Sequence, residues 1–240
     1  MEKCKSFNVQ KFPLKVWQSK VRGFWDTKDV KKAASLISPS WKGELNGAGK
    51  WWEERNWQKI LFLHVPRKKN WAALEIGCGM GRLMRQLSPK FKRIYGVDIS
   101  EQMIRFSKKY LRGLKNTETR LGSGYDLAGF KDNSCNFVYS IITFQHIQDA
   151  GIVRNYLEEV YRVLKPHGYF VIQVHTSENF VRARPANARW NRYTPVTFEG
   201  NNYRRDEIVK FLQKAGLSLI AAEEGLIHEN WIWVTAQKSA

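Results

Sequence analysis

The chain has 240 residues, of which 43% are hydrophobic, so it is long and apolar enough for one α/β domain with additional segments, and a disordered chain is excluded. No stretch of about 18 apolar residues occurs and residues 1–10 lack the apolar region of a secretory signal, so we expect no membrane span and a cytoplasmic protein. The formal net charge of +18 favours encounters with anions, but the cations are dispersed along the chain and form no basic tail of the kind that binds nucleic acid.

The sequence pattern of the first 66 residues predicts a helical segment. Residues 28–37 and 51–63 have helical patterns, separated by the turn-forming sequences Ser38-Pro39-Ser40 and Asn46-Gly47-Ala48-Gly49. We interpret residues 1–66 as a helical N-terminal extension that acts as a lid, and residues 67–240 as the main domain.

From Trp71 onward, short apolar strands alternate with amphipathic helices. Ser100 is the expected N-cap of one helix, Pro166 and Gly168 are expected to stop another, and Gly216 is expected just after a third. The predicted strands are 71–76, 93–97, 119–122, 136–142, 169–174, 217–222 and 231–236, and the predicted helices are 80–87, 101–111, 149–164 and 206–215. This alternation predicts a doubly wound, mostly parallel α/β sheet.

The most specific motif is a glycine loop at the end of the first strand. Gly77, Gly79 and Gly81 permit a tight turn and the close approach of a ligand, and the following helix presents free N–H groups to that ligand. Asp98 ends the second strand about 20 residues later, where a carboxylate can accept hydrogen bonds from two ribose hydroxyls. The pattern therefore predicts a nucleoside-containing cofactor.

Two residues favour S-adenosylmethionine over NAD. The NAD pattern requires a glycine where this chain has Arg82. Glu75 precedes the loop, where a carboxylate suits the ammonium group of a methionine and is unfavourable beside a pyrophosphate.

Residues 73–82, 96–100 and 158–168 resemble the class I S-adenosylmethionine-dependent methyltransferases. The resemblance covers residues 71–175 motif by motif and residues 203–237 by layout, and it implies a seven-stranded Rossmann-like sheet with an antiparallel last strand. It also implies that Glu75, Gly77, Gly79 and Gly81 hold the methionine portion, that Asp98 holds the ribose, and that Ile99 and Met103 flank the adenine. Ser123 stands where the family usually has an acid, so Ser123 or the Gly124 backbone is expected to contact the adenine. Cys78, Arg82 and Ser140 complete the expected cofactor site, and no metal is expected.

The segment 144–147 after the fourth strand faces the transferred methyl group in that family. His146 could act as the general base for an acceptor, or it could pack beside the cofactor. Gln145 is expected to position the acceptor, and His175, at the end of the fifth strand, could border the pocket.

The acceptor is expected to bind beneath the N-terminal helices and an insert at 176–202. Arg182 and Arg184 suit carboxylate or phosphate groups, and Tyr193 lies on the same insert. Trp51, Trp52 and Trp57 could line an aromatic pocket or belong to the core.

The favoured function is methyl transfer to a nucleophilic oxygen or nitrogen of a small molecule. The alternatives are methyl transfer to RNA or protein, transfer of another group from the same cofactor, and a non-catalytic S-adenosylmethionine-binding protein. A nucleic-acid partner is possible but not favoured, a membrane partner is not expected, and the sequence does not predict an oligomeric state.

Overall fold

A seven-stranded sheet forms the centre of the molecule. The structure is a computed structural model, and it describes residues 14–29, 52–147, 149–176, 203–227 and 229–240. The strands are β1 (Ala72–Ile76), β2 (Arg93–Asp98), β3 (Thr117–Leu121), β4 (Cys135–Ser140), β5 (Leu164–His175), β6 (Leu217–Glu224) and β7 (Trp231–Lys238). Their order is β3-β2-β1-β4-β5-β7-β6, and β7 runs antiparallel to both of its neighbours. The predicted doubly wound, mostly parallel sheet is confirmed, and so is the antiparallel last strand.

Helices cover both faces of this sheet. Within the described residues they are α1 (Leu14–Trp25), α2 (Trp52–Leu61), α3 (Arg82–Leu87), α4 (Glu101–Tyr110), α5 (Ala150–Val163) and α6 (Arg205–Lys214), with short 3₁₀ turns at Ser88–Lys90 and Phe144–His146. No described helix is long and apolar enough to cross a membrane.

The central strands are mostly apolar, as strands buried on both faces are. Val138 of β4 packs in one core cluster with α5 and α6, whereas its neighbours Phe137 and Tyr139 pack in a second cluster with α2 and α3. Alternate residues of a strand point to opposite faces, so a strand covered on both sides has apolar residues at odd and even positions alike.

The N-terminal helices belong to these same cores. Val21 of α1 lies in the first cluster and Leu61 of α2 in the second. The sequence did not single out α1, and the predicted helix at 28–37 lies outside the described residues except for residues 28 and 29.

The helix before β5 ends earlier than predicted. Asp149 caps α5 by accepting a hydrogen bond from the N–H of Gly151, but the helix stops at Val163, and Leu164 is already extended. Pro166 disfavours the helical conformation at Lys165, so the chain enters β5 before it reaches the residues expected to stop the helix. Pro166 and Gly168 therefore lie inside a strand, beside the irregularity between Cys135 and Phe137 in the β4–β5 pairing.

The fourth strand is shorter than its apolar run. It ends at Ser140, and the chain then turns at Ile142, whose φ of 57° is unusual for a β-branched residue. The backbone N–H of Ile142 donates to Oε1 of Gln173 on β5, 2.8 Å away. A side-chain contact from another strand thus holds this turn, which explains why local sequence did not predict it.

Candidate functional site

A cavity of about 470 Å³ opens at the carboxyl edge of the sheet. The carboxyl ends of β1, β2, β4 and β5 meet there, and the antiparallel β7 brings its amino end to the same edge. Open α/β sheets bind ligands at this edge, where the strand order reverses. Neighbouring strands of a sheet lie about 4.8 Å apart, so the five adjacent strands β2, β1, β4, β5 and β7 give the cavity a floor roughly 19 Å wide.

The cavity lining divides into two ends along this edge. Over β1 and β2 the lining consists of Glu75, Ile76, Gly77, Cys78, Gly79, Arg82, Leu83, Val97, Asp98, Ile99, Met103 and Gly124. Over β4, β5 and β7 it includes Ile141, Ile142, Thr143, Gln145, His146, Ile147, His175, Asn230 and Trp231, and the helices contribute Val21, Trp25, Trp57 and Tyr156. We call the first set the cofactor end and the second the acceptor end. The charged residues of the described lining, Glu75, Arg82 and Asp98, all lie at the cofactor end.

The glycine loop is folded back onto β2 by main-chain hydrogen bonds. The N–H groups of Gly77 and Cys78 both donate to the carbonyl of Val97, at 2.8 and 3.0 Å. Gly77 has a φ of 73°, and a Cβ there would lie 2.1 Å from Oγ1 of Thr143. Glycine is therefore required at this position by the protein's own packing, beyond the ligand approach that the sequence suggested.

Gly96 has a similar role that the sequence did not indicate. A Cβ at this position would lie 2.4 Å from Sδ of Met84 and 2.8 Å from Cβ of Cys78. The absence of a side chain in the middle of β2 lets the glycine loop and α3 pack closely against the strand.

Asp98 joins the loop to the start of α4. Its Oδ2 accepts the N–H of Gly79 at 2.8 Å, and its Oδ1 accepts the N–H of Ser100 at 2.9 Å. Burial raises the pKa of Asp98 to about 6, and these backbone N–H groups oppose the rise, while the nearby Asp26 carboxylate adds to it.

The end of α1 is fastened to the same helix start. Ser100 is the N-cap of α4, as predicted, and accepts the N–H of Met103. The Ser100 hydroxyl donates to Oδ1 of Asp26 at 2.6 Å, and Oδ1 of Asp26 also accepts the N–H of Gln102. Two side chains thus cap one helix, which places Trp25 and Val21 in the cavity wall.

The geometry of the cofactor end fits S-adenosylmethionine. Glu75 is 4% exposed and lines the cavity, where its carboxylate accepts the hydroxyl of Tyr139 at 3.0 Å and suits a ligand ammonium. Burial beside this carboxylate raises the pKa of Tyr139 well above its ordinary value, so the phenol remains a donor. Asp98 suits the ribose, and Ile99 and Met103 present apolar surface for the adenine.

Three residues of the predicted cofactor site lie away from the lining. Ser140 is fully buried and donates its hydroxyl to the carbonyl of Ile76. Ser123 donates to Oδ1 of Asp126, so of the two candidates for the adenine contact only Gly124 borders the cavity. Gly81 is the N-cap of α3 and faces the side chain of Leu111. These placements do not support direct ligand contacts for Ser140, Ser123 or Gly81.

The acceptor end is aromatic. His146 is 7% exposed and its ring lies edge-on to Trp25, with centroids 5.7 Å apart. Trp57 and Trp231 have centroids 6.4 Å apart, and the indole N–H of Trp231 donates to Nε2 of His175 at 2.9 Å. An indole N–H can only donate, so this contact places the proton of a neutral His175 on Nδ1.

The structure brings the predicted Gln145, His146 and His175 into one cavity, together with residues that the sequence did not indicate. Trp25, Thr143, Tyr156, Asn230 and Trp231 also line it. The sequence held a signal for Asn230 and Trp231, because an antiparallel last strand brings the residues at its start to the carboxyl edge of the other strands. The predicted substrate residues Trp51, Arg182, Arg184 and Tyr193 lie outside the described residues, as does the side chain of Trp52. The described residues contain no group of three potential metal ligands.

Comparison with known proteins identifies the same domain. A family model described as a methyltransferase domain matches residues 74–172. A putative methyltransferase, YqeM, of Bacillus subtilis is 24% identical over 129 residues, covering 54% of this chain and 51% of that protein. A demethylmenaquinone methyltransferase of Lactobacillus johnsonii is 28% identical over 148 residues, covering 59% of this chain and 58% of the relative. The matches thus span little more than half of each relative's length.

The fold also matches solved structures. Geranyl diphosphate C-methyltransferase of Streptomyces coelicolor, solved with S-adenosylhomocysteine, superimposes with a TM-score of 0.66 at 14% identity, covering 92% of this chain and 97% of that one. The sheet, the glycine loop and the family match over residues 74–172 agree, and they identify this part of the chain as a methyltransferase domain of the class I, S-adenosylmethionine-dependent type.

Proposed function

We propose that this protein transfers the methyl group of S-adenosylmethionine to a small, largely apolar acceptor that binds at the acceptor end of the cavity. One observation carries the proposal: a single cavity has the carboxylates of Glu75 and Asp98 over β1 and β2 and the indoles of Trp57 and Trp231 at its other end. Such a cavity can bind a charged, sugar-containing donor and an apolar acceptor side by side.

The cofactor supplies a methyl group bonded to a positively charged sulfur. The protein's contribution is to hold the two reactants in line, and such positioning can lower a barrier by about 7–11 kcal/mol. Glu75 and Asp98 would fix the two ends of the donor. Thr143 and Ile142, at the turn after β4, belong to the acceptor end, and Thr143 lies against Gly77 of the cofactor end, so this turn would orient the acceptor towards the donor.

His146 is the candidate general base. Its place in the lining supports this role, while its edge-on contact with Trp25 is also what a packing residue would show. A general base contributes about 10²–10⁴-fold to rate, chiefly for an acceptor that must lose a proton. Replacing His146 with alanine separates the roles, because loss of a base lowers turnover far more than cofactor affinity.

The similar proteins support a small-molecule acceptor. One is named for demethylmenaquinone and another for geranyl diphosphate, and the latter is a C-methyltransferase. Carbon is therefore an alternative to the predicted oxygen or nitrogen as the atom that receives the methyl group.

The proposal is tested by incubating the protein with methyl-labelled S-adenosylmethionine and a cell lysate separated into small molecules, RNA and protein. We expect label in the small-molecule fraction, and at least about tenfold less from Asp98→Asn at a subsaturating cofactor concentration. Label confined to RNA or protein, or no label with any fraction, would contradict the proposal.

A macromolecular acceptor is the second candidate, and the net charge of +18 favours it. Transfer to RNA would fall steeply as salt rises from about 50 to 200 mM, because released counterions oppose binding. Transfer to a neutral small molecule would change little over that range.

A further inference from the structure

Two glutamines form a chain of hydrogen bonds behind the acceptor end. Gln173 of β5 is fully buried, and Gln145 lines the cavity at 8% exposure. The N–H of Ile142 donates to Oε1 of Gln173 at 2.8 Å, and Nε2 of Gln173 donates to Oε1 of Gln145 at 3.4 Å. We call Gln145 and Gln173 the glutamine pair.

The direction of this series of hydrogen bonds is set by the backbone N–H of Ile142. A backbone N–H is always a donor, so the amide group that faces Ile142 must be the oxygen of Gln173. The NH₂ group of Gln173 then faces Gln145 and requires the oxygen of Gln145 on that side. An amide has one oxygen and one nitrogen, so the NH₂ group of Gln145 is left for the cavity. This nitrogen makes no hydrogen bond within the part of the chain that the structure describes.

A second polar feature lies at the same end. The indole N–H of Trp57 is buried without a hydrogen-bond partner among the described residues, and so is Oδ1 of Asn230, and both residues line the cavity. A buried polar atom without a partner costs stability, which a ligand supplying that partner restores. Two hydrogen-bond donors, Gln145 and Trp57, thus belong to a wall that is otherwise mostly apolar or aromatic.

We propose that Gln145 is a specificity-determining residue that donates a hydrogen bond to an oxygen of the acceptor, and that Gln173 is the positioning residue that fixes its orientation. The acceptor class is a planar, mostly apolar molecule that carries a carbonyl or phenolate oxygen. The inference rests on the proposed function for the presence of an acceptor at this end of the cavity. The oxygen recognised here need not be the atom that receives the methyl group.

The test uses two probes of nearly equal shape, 2-acetylnaphthalene and 2-isopropenylnaphthalene, which differ in a C=O against a C=CH₂ group. Each is titrated into protein saturated with S-adenosylhomocysteine, and the ratio of the two dissociation constants is compared between variants. Comparing ratios cancels the different hydration of the probes, as in a double-mutant cycle. Each of the three variants carries a single substitution. They are Gln145→Met, Gln173→Met and the control Gln213→Met, which lies on the exposed surface of α6.

We expect Gln145→Met to shift the ratio against the ketone by roughly 3- to 10-fold, the value of one neutral hydrogen bond. Gln173→Met should shift it in the same direction by about 2-fold, because the amide of Gln145 is retained but no longer oriented. In both variants the affinity for S-adenosylhomocysteine should stay within about twofold of wild type, which a merely structural role for Gln173 would not produce. Gln213→Met should change nothing.

An unchanged ratio in Gln145→Met, an equal shift in Gln213→Met, or failure of both probes to bind would overturn the proposal. If Gln173→Met does not fold, Gln145→Met still decides the role of Gln145. Failure of the proposed function is seen separately in the labelling experiment with wild-type protein, where no label would then enter the small-molecule fraction.

Discussion

The two ends of the cavity are built in different ways. At the cofactor end, the lining comes from the glycine loop, the ends of β1 and β2 with the carboxylates of Glu75 and Asp98, and neighbouring residues, all within residues 75–124. At the acceptor end, the lining comes from residues as far apart in the chain as Trp57, Gln145 and Trp231. The first end depends on a loop conformation that local sequence encodes, whereas the second depends on the sheet order that brings distant strands together. A family can therefore keep the first while the second diverges with the acceptor.

The largest expected effect is at the glycine loop. Gly77→Ala should destabilise the fold by about 3 kcal/mol, since alanine is strained at a φ of 73° and its Cβ would overlap Thr143. Gly113 has a φ of 91°, and a Cβ added there would meet nothing within 4 Å beyond its chain neighbours, so Gly113→Ala should cost only about 1 kcal/mol. Urea denaturation of both variants measures the difference. Equal losses in the free energy of unfolding would show that packing against Thr143 does not require glycine at position 77.

The pH dependence of cofactor binding reports on Asp98. Its pKa of about 6 in the folded protein lies above its ordinary value of 3.8, so its contribution to stability is fully present below 3.8 and lost as the pH rises through 6. Cofactor affinity should change in the opposite sense, because ribose hydroxyls donate to the ionised carboxylate. We expect roughly tenfold weaker binding at pH 5 than at pH 7.5, measured by calorimetry. An identical pH profile in Asp98→Asn would contradict this assignment.

Changes at the acceptor end should leave the cofactor end intact. Trp231→Phe removes the N–H that donates to His175 and should weaken 2-acetylnaphthalene binding by about 3- to 10-fold, with S-adenosylhomocysteine affinity unchanged within twofold. Trp233 lies two residues along β7, outside the described lining, and Trp233→Phe is the matched control. If both affinities fell together in Trp231→Phe, the two ends would not be independent.

The smallest effect is expected at Ser123. Its hydroxyl donates to Asp126 and accepts the N–H groups of Tyr125 and Asp126 outside the cavity lining. Ser123→Ala should therefore change cofactor affinity by less than about twofold, because no ligand hydrogen bond is removed. A tenfold loss in a fluorescence titration would restore Ser123 to the adenine site.

The sequence predicted the sheet and the cofactor motif because both depend on local patterns. Hydrophobic periodicity located the strands, and the spacing from Gly77 to Asp98 identified the βα unit that binds a nucleoside. Ser140 was assigned to the cofactor site, but its hydroxyl points back to Ile76, a direction that no pattern encodes.

The acceptor end was only partly predictable because its residues meet through tertiary packing. Gln145 and His146 were found since they directly follow a central strand, whereas Gln173 reads in sequence as one polar residue within an apolar strand. Its importance is visible only from its contacts with Ile142 and Gln145. Trp25 reaches the cavity because Asp26 caps a helix 75 residues further along the chain, beginning at Glu101.

The central claim is that the glycine loop and Asp98 form the binding site for S-adenosylmethionine, and calorimetric titration of S-adenosylhomocysteine into wild type and Asp98→Asn at pH 7.5 tests it most directly. The account predicts one site per chain in wild type and binding weaker by roughly 30- to 150-fold in the variant, the effect of losing about 2–3 kcal/mol from charged hydrogen bonds. Equal affinities, or no binding to folded wild-type protein, would contradict it.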